Sequence, residues 1–138
     1  MLTDTQIILR LLLAAILGGL VGFEREAHNR KMAGFRTHIL VCVGSALIML
    51  TSLHIFATYG NGISTDPGRI AVGVITGIGF LGAGTIIRSG ASVIGLTTAA
   101  SLWIVAGVGL AVGCGFYTAS YMTTIIVLAS LYLLRKVV

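Results

Sequence analysis

The chain has 138 residues, of which 57% are hydrophobic and only 9% are charged, and its mean hydropathy is +1.04. Soluble domains carry about 25% charged residues, so this composition excludes an ordinary soluble fold and predicts one transmembrane domain over the whole chain. The net charge is +5, but the basic residues lie at the ends of apolar runs, as in membrane proteins. Nucleic-acid binding is therefore not expected.

Five apolar segments predict an all-α bundle of about five transmembrane helices, because a helix needs about 20 mostly apolar residues to cross a bilayer. The last two segments form one run of 46 residues without a charge, from Ser89 to Leu134. As a single helix that run would be about 70 Å long, twice the bilayer core. It must fold back once, and Gly113-Cys114-Gly115 is the expected corner. The predicted spans are residues 7–23, 37–59, 70–87, 94–112 and 116–134.

The positions of the basic residues predict the orientation of the bundle. Seven of the nine Lys and Arg residues fall after the first span, after the third span or in the C-terminal tail. Cytoplasmic loops of membrane proteins are enriched in Lys and Arg. We therefore expect a cytoplasmic C-terminus, an external N-terminus and an external loop at residues 60–68.

Six of the thirteen charged residues are concentrated in residues 23–36, between the first two spans. Arg30 and Lys31 in its middle are typical determinants of topology. Glu24 and Glu26 directly follow the first span, and Mg²⁺ prefers one or two carboxylates together with water. These two residues are candidate metal ligands. The alternative is that both carboxylates simply pair with neighbouring arginines at the membrane surface.

Hydroxyl side chains open the fourth span, where Thr97, Thr98 and Ser101 fall within about one turn of helix. Such groups bond to backbone carbonyls or neighbouring helices, or they line a polar approach near the cytoplasmic face. His38, at the start of the second span, is interpreted as a packing residue rather than a ligand. The candidate ion-binding or functional residues are Glu24, Glu26, Arg36, Thr37, Thr97 and Thr98.

Glycines recur within the spans at a spacing that favours close helix packing. Three GxxxG pairs occur, at Gly18 and Gly22, Gly73 and Gly77, and Gly109 and Gly113. The third span is the densest, and its backbone or packing candidates are Gly77, Gly79, Gly82 and Gly84. Because each glycine weakens a helix by roughly 1 kcal/mol relative to alanine, this span is either continuous and kinked or partly unwound. Unwound carbonyls could coordinate cations.

Four blocks of sequence together resemble the MgtC/SapB family. They are residues 22–26 (GFERE), 33–38 (AGFRTH), 77–84 (GIGFLGAG) and 95–103 (GLTTAASLW), and the resemblance covers about residues 18–117. It implies a multi-pass protein of the bacterial inner membrane, with about five spans, linked to growth at low Mg²⁺ and to virulence. Many members carry an additional C-terminal cytoplasmic domain like an ACT domain, which we expect to be absent after residue 138.

The resemblance implies two functional alternatives. The first is magnesium homeostasis through Mg²⁺ transport or sensing, with Mg²⁺ as substrate or ligand and no other cofactor. The second is a non-transporting regulator that binds another membrane protein, such as the proton-driven ATP synthase. No nucleophile–base pattern occurs in the sequence, so an enzyme is not expected. Exposed GxxxG faces favour a homo-oligomer.

Overall fold

A computed structural model describes residues 1–28, 32–60 and 66–137. The described residues form five α-helices, one antiparallel pair of short strands and a final 3-10 turn. The helices are α1 (Asp4–Ala27), α2 (Phe35–Tyr59), α3 (Gly68–Gly84), α4 (Leu96–Cys114) and α5 (Tyr117–Leu133), the strands are β1 (Ile87–Ser89) and β2 (Ser92–Ile94), and the turn is Leu134–Lys136.

Four of the described helices are long and apolar enough to cross a membrane: α1, α2, α4 and α5 with its extension to Lys136. The fifth, α3, has 17 residues, which is the lower end of the length that a crossing helix needs. Large apolar side chains such as Leu12 and Ile16 in α1 are more than half exposed, as expected for a face that contacts lipid. The predicted all-α membrane bundle is confirmed.

The described helices alternate in direction, so their ends gather at two levels. The charged end, as we call it, contains Glu24, Arg25, Glu26, Arg36 and Arg135. The opposite end contains the start of α1 and the link between α4 and α5. The side of the membrane on which each end lies stays a prediction. Arg30, Lys31 and residues 61–65 of the predicted external loop lie outside the described residues.

The core lies where α2 packs between α1 and α4. Its apolar side chains are Ala14, Leu17, Val21, Cys42, Ala46, Val105, Val108 and Val112. Ser45 is buried beside them, and its hydroxyl donates to the Val41 carbonyl at 2.8 Å. The other two helices are peripheral. Only Ile78 and Gly82 are buried in α3, and only Ser120 and Thr124 are buried in α5.

Two of the three GxxxG pairs allow α2 to approach its neighbours at backbone contact distance. A Cβ at Gly18 would lie 2.6 Å from the Cβ of Cys42, and one at Gly22 would lie 2.8 Å from the Cα of Phe35. On the other side, a Cβ at Gly113 would lie 2.7 Å from the carbonyl oxygen of Ala46, and one at Gly109 would collide with the Cys42 carbonyl. Side chains at these positions would push the three helices apart.

The third glycine group, in α3, has a different environment. Helix α3 is continuous from Gly68 to Gly84, so of the two alternatives the unwound segment is wrong. A Cβ at Gly77, Gly79 or Gly84 would meet no atom within 4 Å, whereas one at Gly82 would make ordinary contact with Ala99. A packing role for the first three of these glycines within a larger assembly stays a prediction.

The connection between α3 and α4 is a β-hairpin that the sequence does not predict. Ile87 pairs with Ile94 and Ser89 with Ser92. The third predicted span included Ile87 and the fourth included Ile94, but the structure places both residues in strands. Strands of three residues are too short to show a periodic pattern, and here their apolar residues simply continue those of the neighbouring helices.

The chain folds back between α4 and α5 at Gly115, within the predicted corner, where φ is +85°. Arg10 fixes this corner from α1. Its Nε donates to the Tyr117 hydroxyl at 2.9 Å and its Nη1 donates to the Gly113 carbonyl at 2.8 Å. Arg10 therefore bonds to a carbonyl in the last turn of α4, a group that the helix itself leaves unpaired.

The glycine contacts predict opposite effects of the same substitution at two positions. Gly109→Ala should lower the free energy of unfolding by about 1–3 kcal/mol, the usual cost of overpacking. Gly79→Ala, the matched control in open space, should leave it unchanged or raise it by up to about 1 kcal/mol, since alanine favours the helix. Denaturation of the purified proteins in mixed detergent micelles measures both. Equal effects at the two positions would contradict the close approach of α4 and α2.

Candidate functional site

Arg25 is a buried cation at the charged end of the bundle. Its side chain comes from the last turn of α1, and the residue is only 3% exposed. The guanidinium Nη2 donates to the Thr98 hydroxyl at 2.7 Å, and Thr98 is also 3% exposed. Hydrogen bonds from charged groups contribute about 1.5–3 kcal/mol, roughly twice the neutral value. This bond ties the end of α1 to the start of α4.

The glycine face of α1 explains why Arg25 is buried. Gly18, Gly22 and Arg25 follow one another at i, i+4 and i+7, so they lie on one side of the helix. That side faces α2, where a Cβ at Gly22 would lie 2.9 Å from the Cβ of His38. Because α1 and α2 are this close, the side chain of Arg25, which comes next on the same face of α1, points into the bundle.

His38 extends the polar contacts from α2 to α4. The residue is fully buried. Its Nδ1 donates to the Gly34 carbonyl at 2.7 Å, and its Nε2 lies 2.9 Å from the Ser101 hydroxyl oxygen. Ser101 in turn lies 2.7 Å from the Thr98 carbonyl oxygen, to which it can donate. Arg25, Thr98, Ser101 and His38 thus join α1, α4 and α2 within about one helical turn.

The cluster has two possible hydrogen-bond patterns, because the hydroxyl of Ser101 has a single proton to donate. Because Nδ1 of His38 donates to a carbonyl, Nε2 is an acceptor when the ring is neutral. Ser101 has one hydroxyl proton, which it can give either to Nε2 of His38 or to the Thr98 carbonyl, but not to both. A protonated ring would donate from Nε2 instead and leave the hydroxyl proton for Thr98.

The two glutamates on either side of Arg25 bind different elements. Glu26 Oε2 accepts a hydrogen bond from the Phe35 backbone N–H at 2.7 Å, so it caps the start of α2. Glu24 lies 3.2 Å from Nδ1 of His28 and 4.0 Å from Nη1 of Arg135, in the 3-10 turn after α5. The three consecutive residues 24–26 therefore contact α4, the start of α2 and the end of the chain's last helical segment.

The remaining candidates predicted from the sequence are not part of the network formed by Arg25, Thr98, Ser101 and His38. Arg36 and Thr97 are exposed, and neither forms a side-chain hydrogen bond or an ion pair with the described residues. Thr37 is half-buried and lines a shallow pocket together with Gly84 and Leu102. The structure thus brings Thr98 into contact with Arg25 and separates it from Thr97, because successive residues of a helix point in different directions.

Three residues of the network are absent from the set of candidates predicted from the sequence. From the sequence, Arg25 is predicted only as a potential ion-pair partner and His38 as a packing residue. Ser101 is predicted as a hydroxyl that bonds to a carbonyl or a neighbouring helix, or that lines a polar approach. The available signal is helical spacing. Arg25 continues the Gly18–Gly22 face, and Thr98 and Ser101 lie two turns and one turn before Val105 on the buried face of α4.

Glu24 and Glu26 are the metal ligands that the sequence predicts at the charged end. Among residues 1–28, 32–60 and 66–137, no three His, Cys, Asp or Glu side chains gather where they could hold a metal ion. A pair of carboxylates suits Mg²⁺, which keeps several of its waters. Glu24 and Glu26 fit that donor type, although each already accepts a bond within the chain, and their role as ligands stays a prediction.

Several known proteins are similar to this chain. The model of the MgtC family matches residues 11–138. The chain is 46% identical to the "Putative magnesium transporter YhiD" of Escherichia coli K12 over 81% of this chain and 53% of that protein. It is 46% identical to "Protein MgtC" of Salmonella typhimurium LT2 over 94% of this chain and 52% of that protein. No solved structure matches.

A more distant relative lies outside these two organisms. "Protein SapB" of Bacillus subtilis 168 is 39% identical over 98% of this chain and 59% of that protein. The chain therefore spans slightly more than half the length of the curated relatives that it matches.

The buried bond between Arg25 and Thr98 predicts different effects at two adjacent threonines. Thr98→Val keeps the shape of the side chain but removes the acceptor of a buried charged donor, so it should lower the free energy of unfolding by about 1.5–3 kcal/mol. Thr97→Val is the matched control, and as an exposed substitution it should change stability by less than about 0.5 kcal/mol. Detergent unfolding measures both variants. A Thr98→Val protein as stable as the control would show that the bond contributes nothing.

Proposed function

The chain belongs to the MgtC family and is a multi-pass protein of the bacterial inner membrane, and on this basis we propose that it acts in magnesium homeostasis by sensing Mg²⁺ at its charged end. The printed name of the Escherichia coli relative supports the link to magnesium. The proposal concerns the activity of the membrane part, since the relatives are longer.

One observation carries this proposal: the residues Glu24, Arg25 and Glu26 each contact a different element of the bundle. A hydrated Mg²⁺ that binds Glu26 competes with the N–H of Phe35, and one that binds Glu24 competes with His28 and Arg135. Binding would therefore change how the end of α1 holds α2 and the last turn.

A second candidate function is regulation of another membrane protein without transport of any ion. Two observations favour it over conduction. Most side chains buried in the middle of the described bundle are apolar, and a divalent cation would lose its water there at great cost. Gly73 and Gly77 of α3 line an apolar groove beside α2, in which an added Cβ would meet no atom within 4 Å, and small residues are what helices use to pack together in lipid. A homo-oligomer would use the same groove.

The sensing proposal predicts a stabilising effect of Mg²⁺ that depends on the two glutamates. A ligand that binds only the folded state stabilises it, by about 2.7 kcal/mol at a hundred times its dissociation constant. Mg²⁺ should therefore raise the melting temperature of the purified protein, at constant ionic strength, and should not do so in Glu24→Gln or Glu26→Gln. Asp4→Asn, a carboxylate substitution at the opposite end, is the control and should keep the full shift. No shift in the wild type, or an equal shift in all variants, would contradict the proposal.

Uptake of Mg²⁺ into proteoliposomes separates the two candidate functions from transport. If the wild-type chain only senses or regulates, vesicles that contain it should take up Mg²⁺ no faster than empty vesicles. Uptake above that level, lost in Glu24→Gln and kept in Asp4→Asn, would instead show that the same carboxylates serve transport.

A further inference from the structure

The β-hairpin between α3 and α4 exposes an unusual amount of apolar surface for so short an element. Ile87 is 51% exposed, Val93 49% and Ile94 54%. A two-stranded hairpin is marginally stable by itself in water. An isolated hairpin with this surface therefore needs an apolar environment around part of it.

Polarity changes along the hairpin from its base to its tip. The pair at the base is Ile87 with Ile94, the middle pair is Arg88 with Val93, and the pair next to the tip is Ser89 with Ser92. The interface of a bilayer changes in the same order, from acyl chains to headgroups to water. A hairpin that stands in the interface with its base towards the acyl chains would match this gradient at the base and next to the tip, with Arg88 at the headgroup level between them.

The lengths of the helices place the base of the hairpin at the level of the acyl chains, near the headgroups. Helix α3 has 17 residues, or about 25 Å at 1.5 Å per residue, against about 30 Å for the hydrocarbon core. Helices α1 and α2 have 24 and 25 residues, so they exceed the core. The deficit of about 5 Å at α3 is the length of one or two strand residues. Ile86 and Ile87 supply the missing apolar length.

The base of the hairpin is held against the end of α3. Gly95 closes the hairpin with φ at +96°, and a Cβ there would collide with the Thr85 carbonyl. Thr85 in turn donates its hydroxyl proton to the Gly82 carbonyl at 2.7 Å. The depth of the hairpin is therefore fixed by the helix to which it is attached.

Charge favours an anionic lipid as the partner of this element. Arg88 is the only charged residue between Ile86 and Gly95, and the chain has no acidic residue after Asp66. Arg88 Nε donates to the Gly90 carbonyl at the tip, at 3.4 Å, so the exposed guanidinium is directed towards the tip and away from the apolar base. A guanidinium matches the geometry of phosphate oxygens with two parallel donors.

We propose that the hairpin of residues 87–94 is an interfacial lipid-binding element in which Ile87 and Ile94 lie among the acyl chains and Arg88 binds the phosphate of an anionic phospholipid. The element would anchor the short helix α3 at the charged end of the bundle. This role is independent of Mg²⁺ binding at Glu24 and Glu26.

Tryptophan fluorescence of the full chain in lipid vesicles tests the depth of the hairpin. In a Trp103→Phe background, which removes the single native tryptophan, Ile94→Trp reports on the base and Ala91→Trp on the tip. We expect lipids brominated on the acyl chain to quench Ile94→Trp more than Ala91→Trp, and aqueous acrylamide to do the reverse. Acrylamide quenching of Ile94→Trp equal to that of Ala91→Trp would overturn the proposal. Protection of Ile94→Trp from both quenchers would also overturn it, since a protein surface would then cover the hairpin.

The choice of lipid tests Arg88. With Ile94→Trp as reporter, brominated phosphatidylglycerol should bind more tightly than brominated phosphatidylcholine, by about fivefold from one basic residue near an anionic surface. Arg88→Gln should abolish that preference. Arg69→Gln, which removes a charge at the opposite end of α3, is the control and should retain it. No preference in the parent protein, or the same preference in Arg88→Gln, would overturn the assignment of the phosphate to Arg88.

Discussion

Four glycines let α2 lie between α1 and α4 at backbone contact distance, and the remaining features of the bundle depend on this approach. Gly18 and Gly22 face α2 from one side, and Gly109 and Gly113 face it from the other. In lipid the hydrophobic effect does not drive helices together, so close packing of this kind must supply the attraction. The tight core that results explains how three helices bury a cation, an imidazole and two hydroxyls at one end without opening the apolar middle.

Close packing of the helices also positions the charged side chains at the charged end of the bundle. Arg25 reaches α4 because the face of α1 on which it lies is held against α2, and Glu26 can cap α2 because Phe35 is brought to the same level. The peripheral helices α3 and α5 bury few residues, so their packing against the rest of the bundle is less tight. Helix α3 leaves most of its glycines in open space, and its exposed hairpin contributes apolar length that the helix lacks. Glycine-rich spans thus differ in this chain: those of α1 and α4 pack closely against α2, whereas most glycines of α3 have no atom within 4 Å of an added Cβ.

Much of this architecture is predictable from composition. Each crossing helix is an apolar run of sufficient length, and the corner at Gly115 follows from an uncharged run too long for one helix. The hairpin at residues 87–94 is not predictable in the same way, because its strands are short and merge with the apolar helices beside them. The burial of Arg25 in the site is even less predictable from the sequence. Arg25 belongs to the charged segment by sequence, and only the orientation of α1 decides whether it faces water or Thr98. That orientation depends on tertiary contacts at Gly18 and Gly22, seven and three residues earlier.

A double-mutant cycle between Arg25 and Thr98 tests most directly the claim that packing buries this cation onto α4. The free energy of unfolding is measured for the wild type, Arg25→Met, Thr98→Val and the double variant. We predict a coupling energy of about 1.5–3 kcal/mol, as for a hydrogen bond from a charged donor between residues in contact. Effects that add to within about 0.5 kcal/mol, the value for distant sites, would contradict the account.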